Sequence, residues 1–127
     1  GKNYMVYEIY FFDSYAIIEI LKGNENYKKY NTCIIITTKL NLFEVFYSLL
    51  KNVDNEKADF FMDNYYELAI DFNKYIIKQA AEFRLKHKER KLSMTDCVGY
   101  ILALELGIKF LTGDLEFKDM ENVEYVK

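Results

Sequence analysis

Apolar positions along the chain switch between a period of two and a period of three to four. Residues 6–12 (VYEIYFF) form a short aromatic and β-branched run that predicts a strand. Asp13-Ser14 closes it and offers a cap to a helix predicted over 15–21, which Gly23 stops. A continuously apolar run, 33–37 (CIIIT), predicts a second strand of the kind buried in parallel sheets. Helices are predicted over 40–51 and 56–66. The alternation in 67–72, with Leu68, Ile70 and Phe72 on one side, predicts a short third strand. Residues 75–88 read as a long amphipathic helix ending in a basic run. Ser93-Met94-Thr95-Asp96 has the form of a capping box that opens a helix to Leu106, ended by Gly107. A strand over 109–111, the turn Thr112-Gly113-Asp114, a helical turn and a last strand over 123–126 complete the chain. Strands alternating with helices predict an α/β fold: three layers, a central parallel sheet with helices on both faces.

At 127 residues, one domain spanning 1–127 is expected. Half the residues are apolar and 17% are aromatic, so a packed core is expected rather than disorder. No apolar run reaches the roughly 18 residues of a membrane span. The opening GKNYMVYEIYFF has neither the basic segment nor the small-residue cleavage site of a secretion signal, so no membrane association is expected; the two cysteines point to a cytoplasmic location. Cys33 and Cys97 lie in apolar stretches without C-x-x-C spacing and read as reduced structural thiols. The net charge of −3 decides nothing about nucleic acid, because acids gathered on a metal leave the remaining surface more basic than the total.

The candidate chemistry lies in four acids, Asp13, Glu44, Asp96 and Asp114, at or near strand-to-helix junctions. In a parallel sheet such junctions lie at the carboxyl-end crevice where ligands bind. Converging carboxylates repel one another unless something cationic neutralises them, and a divalent metal is the usual partner. Each acid also has a plainer reading. Asp13 and Asp114 serve as N-caps, Asp96 as the acidic partner of the capping box, and Glu44 as part of a solvated stripe with Asn41, Ser48 and Lys51. Joint occurrence favours the site. Thr95, Gly99 and Ala103 recur every four residues and give the helix behind Asp96 one small face for close approach to the sheet; its other positions are apolar almost all round, so burial is expected.

The segments FFDSYAIIEIL (11–21), NLFEVFYSLL (41–50), LSMTDCVGYILALELG (92–107) and KFLTGDLEF (109–117) together resemble the PIN-domain ribonucleases, in particular the VapC-like toxins of prokaryotic toxin–antitoxin pairs. The resemblance runs over essentially the whole chain and rests on the order of four motifs, none specific alone. It implies that Asp13, Glu44, Asp96 and Asp114 form an acidic quartet holding one or two Mg²⁺ or Mn²⁺ ions. Asp13 and Asp96 would take the principal metal, Asp114 the second ion or the attacking water, and Glu44 an outer contact. Ser14 and Thr112 would orient carboxylates from behind. Glu116 is a further acid near the turn, and Tyr15 stands where many relatives carry a small or hydroxyl residue. The implied activity is metal-assisted hydrolysis of RNA. The implied partners are an RNA substrate, an antitoxin and a second copy of the chain, and the aromatics Tyr30, Phe60, Phe61, Tyr65 and Tyr66 are candidates for a dimer face or antitoxin groove.

The basic run before Asp96 contains Lys88, Arg90 and Lys91. It reads either as solvation at a helix end or as a rim that guides phosphates. His87, in the same run, reads as a solvated helix-end residue. Two rivals carry different chemistry. A phosphoacceptor receiver needs an acid pair after its first strand, and only Asp13 stands there. A silent binding module of the same fold would share every motif. Within the PIN group, a housekeeping RNA-processing nuclease is the alternative to a toxin.

Overall fold

The computed structural model describes residues 7–127. Its elements are β1 (Ile9–Phe12), α1 (Ser14–Lys22), β2 (Ile34–Ile36), α2 (Lys39–Asn52), α3 (Asn55–Tyr65), α4 (Lys74–Lys86), α5 (Met94–Leu106), β3 (Lys109–Thr112) and β4 (Val123–Tyr125). The four strands form one parallel sheet in the order β2-β1-β3-β4. Alternating strand residues face opposite sides, and each side has its own core. Phe11 and Phe110 pack against α4 and α5, while Phe12 and Leu111 pack with α1, α2 and α3. The expected three-layer α/β/α arrangement is the one observed.

Helix ends follow their local chemistry. Asp13 caps α1 through Ser14 N, Thr38 caps α2 through Asn41 N, and the Ser93–Asp96 capping box opens α5. Gly23 and Gly107 end α1 and α5 in the left-handed region that only glycine enters cheaply. Gly99 lets α5 approach the sheet, since a Cβ there would stand 2.7 Å from Phe11. Burial of α5 is not all-round, however. Its middle, from Cys97 to Ala103, is covered for the most part, but Met94 at one end and Leu104 and Leu106 at the other are exposed.

The strand predicted over 67–72 does not form. Tyr66–Leu68 is a 3-10 turn, and the only ladder there is a single parallel bridge between Thr37 and Ala69. Asn73 already caps α4 through Ile76 N, so too few residues remain to extend the pairing. The alternation has another cause: Ile70 and Phe72 bury by packing on the α4–α5 core. A 3-10 helix over Glu25–Thr32, unpredicted, buries Tyr27 and Tyr30. The predicted first-strand residue Val6 lies outside the described residues.

Candidate active site

The chain leaves β1 toward β2 on one side and returns through β3 on the other. That reversal opens a crevice at the carboxyl ends of β1 and β3, where ligands bind in open parallel sheets. Asp13 directly follows β1, and Asp114 follows β3 after Gly113. Asp13 N donates to Leu111 O at 3.1 Å, which stitches the two ends together. Asp96, in the first turn of α5, and Glu44, in the second turn of α2, approach from the two helical layers.

Every acid is tethered by at least one hydrogen bond. Asp13 is 3% exposed; its Oδ1 accepts from Ser14 N at 2.9 Å and its Oδ2 from Thr112 Oγ1 at 2.7 Å. Asp114 N donates to Thr112 Oγ1 at 3.1 Å, and Asp114 Oδ1 accepts from Glu116 N at 3.0 Å. Ser93 N donates to Asp96 Oδ2 at 2.9 Å. Ser14 Oγ donates to Glu44 Oε1 at 2.6 Å. The capping and site readings of Asp13, Asp96 and Asp114 are therefore compatible, because a cap uses one lone pair of a carboxylate that has about four.

Burial pushes the Asp13 carboxyl up to about 8, and the nearby charges of Asp96 and Glu44 add to the rise, against the opposing bonds from Thr112 and Ser14. Asp96 is pushed up to about 6, mainly by burial, with Asp114 and Glu44 adding and the Ser93 bonds opposing. Asp96 thus lies within electrostatic reach of each of the other three, and Asp13 within reach of Glu44. Among the described residues none of them pairs with a lysine or arginine; the ion pairs present are Lys22–Glu19 and Lys39–Asp71, elsewhere. Oxygen-only donors with no cationic side chain suit a hard divalent cation. As the side chains stand, no group of three or more His, Cys, Asp or Glu among the described residues is close enough to hold an ion. The acids lie at Coulombic range, not at coordination range.

The polar stripe of α2 is not uniformly solvated. Asn41 is fully buried and Glu44 half-buried, both turned toward Ser14, while Lys51 is exposed. Thr38 is likewise fully buried and bonds Asn41. Sequence reasoning does not name Thr38, and it meets Asn41 only as a member of the solvated stripe; the T-x-x-N spacing of the two reads as an ordinary helix cap. Arg90 departs from the other two basic candidates. Its Nη1 donates to Glu116 O at 2.6 Å and so holds the turn that Asp114 caps. Lys88 and Lys91 are exposed along a groove of about 860 Å³ bounded by Ile77, Leu85 and Met94. His87 packs its ring on Phe83, centroids 4.6 Å apart, and is half-buried rather than fully solvated. Tyr15 lies against Gly113, where any side chain would overlap its ring. Of the aromatics, Tyr30 and Phe61 are core residues, whereas Phe60 and Tyr66 are exposed.

The family model described as PIN domain matches residues 10–123 of the chain. No curated relative matches by sequence. Three solved structures are similar throughout. VapC20 of Mycobacterium tuberculosis, described as a sarcin–ricin loop cleaving toxin, matches with TM-score 0.76 and 17% identity over 93% of this chain and 99% of its own. VapBC2 from Rickettsia felis, bound to a DNA fragment from its promoter, matches with TM-score 0.70 and 20% identity over 94% and 99%. A toxin–antitoxin complex from Klebsiella pneumoniae matches with TM-score 0.69 and 16% identity over 90% and 94%. At such identities the likeness establishes a shared fold. Among the described residues no helix is long and apolar enough to cross a membrane.

Proposed function

Because the chain belongs to the PIN-domain family, we propose that it is a Mg²⁺- or Mn²⁺-dependent endoribonuclease that hydrolyses RNA phosphodiester bonds. The observation that carries this reading is Asp13: a buried carboxylate at the switch point of the sheet, repelled by Asp96 and Glu44 and, among the described residues, without a cationic partner. Burying such charge is costly unless something positive compensates it. Asp13, Asp96 and Asp114 would hold the ion, with Glu44 as an outer contact, and waters would complete the coordination. When bound, the ion supplies Lewis acidity that lowers the pKa of a water and offsets charge on the leaving oxygen. The protein's own share is orientation. Thr112 and the Ser14 amide hold both oxygens of Asp13, Ser93 N holds Asp96, and Arg90 with Glu116 N holds the turn bearing Asp114. Lys88 and Lys91, exposed along the groove ahead of α5, offer a positive edge that suits an RNA backbone.

A toxin of a toxin–antitoxin pair, acting in the cytoplasm as a homodimer, is the fuller form of this reading. The toxin reading and its antitoxin partner are supported by the toxin–antitoxin complexes that share the fold. A groove of about 540 Å³, lined by Leu21, Val53, Phe60, Phe61 and Tyr65, offers an apolar face for a protein partner. The nuclease is tested by incubating a structured RNA pool with Mg²⁺ or Mn²⁺ and either wild type or Asp13→Asn. Loss of cleavage in the variant supports the assignment, and equal activity in both preparations means a contaminant and refutes it. Growth arrest on expression, relieved by the product of an adjacent short reading frame, supports the toxin.

A further inference from the structure

The polar groups behind Glu44 form a chain with a direction. Thr38 Oγ1 accepts the backbone N–H of Asn41 at 3.2 Å and lies 2.6 Å from Asn41 Oδ1. The Thr38 hydroxyl gives its own hydrogen, and only the amide oxygen can receive it, so Asn41 is held with Oδ1 toward Thr38 and Nδ2 away. Nδ2 stands 2.9 Å from Ser14 Oγ and can only donate. With that lone pair used, the Ser14 hydrogen points to the acceptor it faces, Glu44 Oε1 at 2.6 Å. Donation runs one way, from Thr38 through Asn41 and Ser14 to Glu44. Thr38 and Asn41 are 0% exposed and Ser14 is 8% exposed, so water does not compete for these groups.

Capping of α2 explains Thr38 but not Asn41, because Thr38 satisfies the residue-41 amide whatever side chain stands there. An amide buried this completely is costly unless both of its ends are bonded. Here both are, and one of them leads to an acid of the crevice. We propose that Asn41 is a positioning residue of the candidate site: it sets the Ser14 hydroxyl and, through it, keeps Glu44 aimed at Asp13 and Asp96. What Glu44 does there rests on the nuclease reading, whereas the relay itself rests on the bonds.

The test is calorimetric titration of Mn²⁺ alone into wild type, Ser14→Ala, Asn41→Leu and the double variant, each shown to be folded by its circular dichroism melt. Asn41→Leu binds about tenfold more weakly, and adds no further loss in the Ser14→Ala background. Thr38→Val weakens binding as well, and Thr38→Ser restores it. Losses that multiply in the double variant overturn the proposal. So does unchanged Mn²⁺ affinity in Asn41→Leu alongside a lowered melting temperature, which is what a merely structural residue would give. If Asn41→Leu does not fold, the Thr38 pair decides, with equal affinities of Val and Ser variants overturning it. If folded wild type takes up no Mn²⁺, the nuclease reading fails, and the relay is decided by the crystal structure of Asn41→Leu. Ser14 turned from Glu44 supports it there; a retained contact overturns it.

Discussion

Thr112 Oγ1 donates to Asp13 Oδ2 across 2.7 Å, joining the ends of two strands that are neighbours in the sheet and far apart in sequence. The same oxygen accepts the N–H of Asp114 at 3.1 Å, so one fully buried hydroxyl orders two acids at once. Thr112→Val nearly preserves shape and removes both bonds. Urea unfolding should show a loss of about 1–2 kcal/mol, and RNA cleavage should fall with it. Thr112→Ser, which keeps the hydroxyl, should stay near wild type in both measurements.

The acids also set a pH dependence. The Asp13 carboxyl stands at about 8 against an ordinary 3.8, and Asp96 at about 6. Between about pH 4 and pH 8 the folded state therefore holds more protons than the unfolded chain, so stability falls as pH rises through that window. With chelator present, the protein should melt lower at about pH 8 than at about pH 5. Mg²⁺ or Mn²⁺ should restore stability at the higher pH and do little at the lower. Asp13→Asn should flatten the dependence. Equal melting temperatures at the two pH values for metal-free wild type would count against the picture of an uncompensated buried acid.

Gly99 ties the core to the site. A Cβ there would meet Phe11 Cε1 at 2.7 Å and Phe110 Cε2 at 3.2 Å, and both rings are fully buried and stacked on each other. Gly99→Ala gains about 1 kcal/mol of helix propensity but incurs overpacking of about 1–3 kcal/mol. Net destabilisation is expected in denaturant unfolding. Because Asp96 lies one turn upstream, Mn²⁺ affinity should weaken too.

The basic residues should separate by role. Lys88→Ala with Lys91→Ala should make the plot of log affinity against log salt shallower by up to about 1.4 on single-stranded RNA. Arg90→Ala should lower turnover instead, because its guanidinium bonds the carbonyl of Glu116 and steadies the turn at Asp114. Affinity measured across a salt series and single-turnover cleavage distinguish the two. A slope unchanged by the double lysine variant removes the guiding edge.

Much of this architecture is legible from local chemistry. Asp13, Ser93–Asp96 and the Thr112-Gly113-Asp114 turn announce themselves because caps and turns are settled by residues a few positions apart. The meeting of Asp13 with Thr112 follows once strand–helix alternation implies a parallel sheet. Other features depend on partners that no local pattern contains. The alternation in 67–72 reports which side chains are buried, but not whether a strand lies alongside to pair, and Ile70 and Phe72 bury without one. Asn41 resembles a solvated stripe residue until α2 packs its first turn toward Ser14. Arg90 shows its charge in the sequence, yet its acceptor is a backbone carbonyl beyond α5 and β3. Pairwise capping is visible in one dimension, whereas the face a helix turns inward is decided by the layers around it.

Whether the four acids form a divalent-metal site that cleaves RNA is decided by the cleavage rate of one labelled RNA across a Mn²⁺ titration, for wild type and Asp96→Asn, with a chelator control. Cleavage by wild type should rise with Mn²⁺ to saturation, stop in chelator, and fall by about 100-fold or more in the variant. Cleavage that persists in chelator and is equal in both proteins would rule the metal site out.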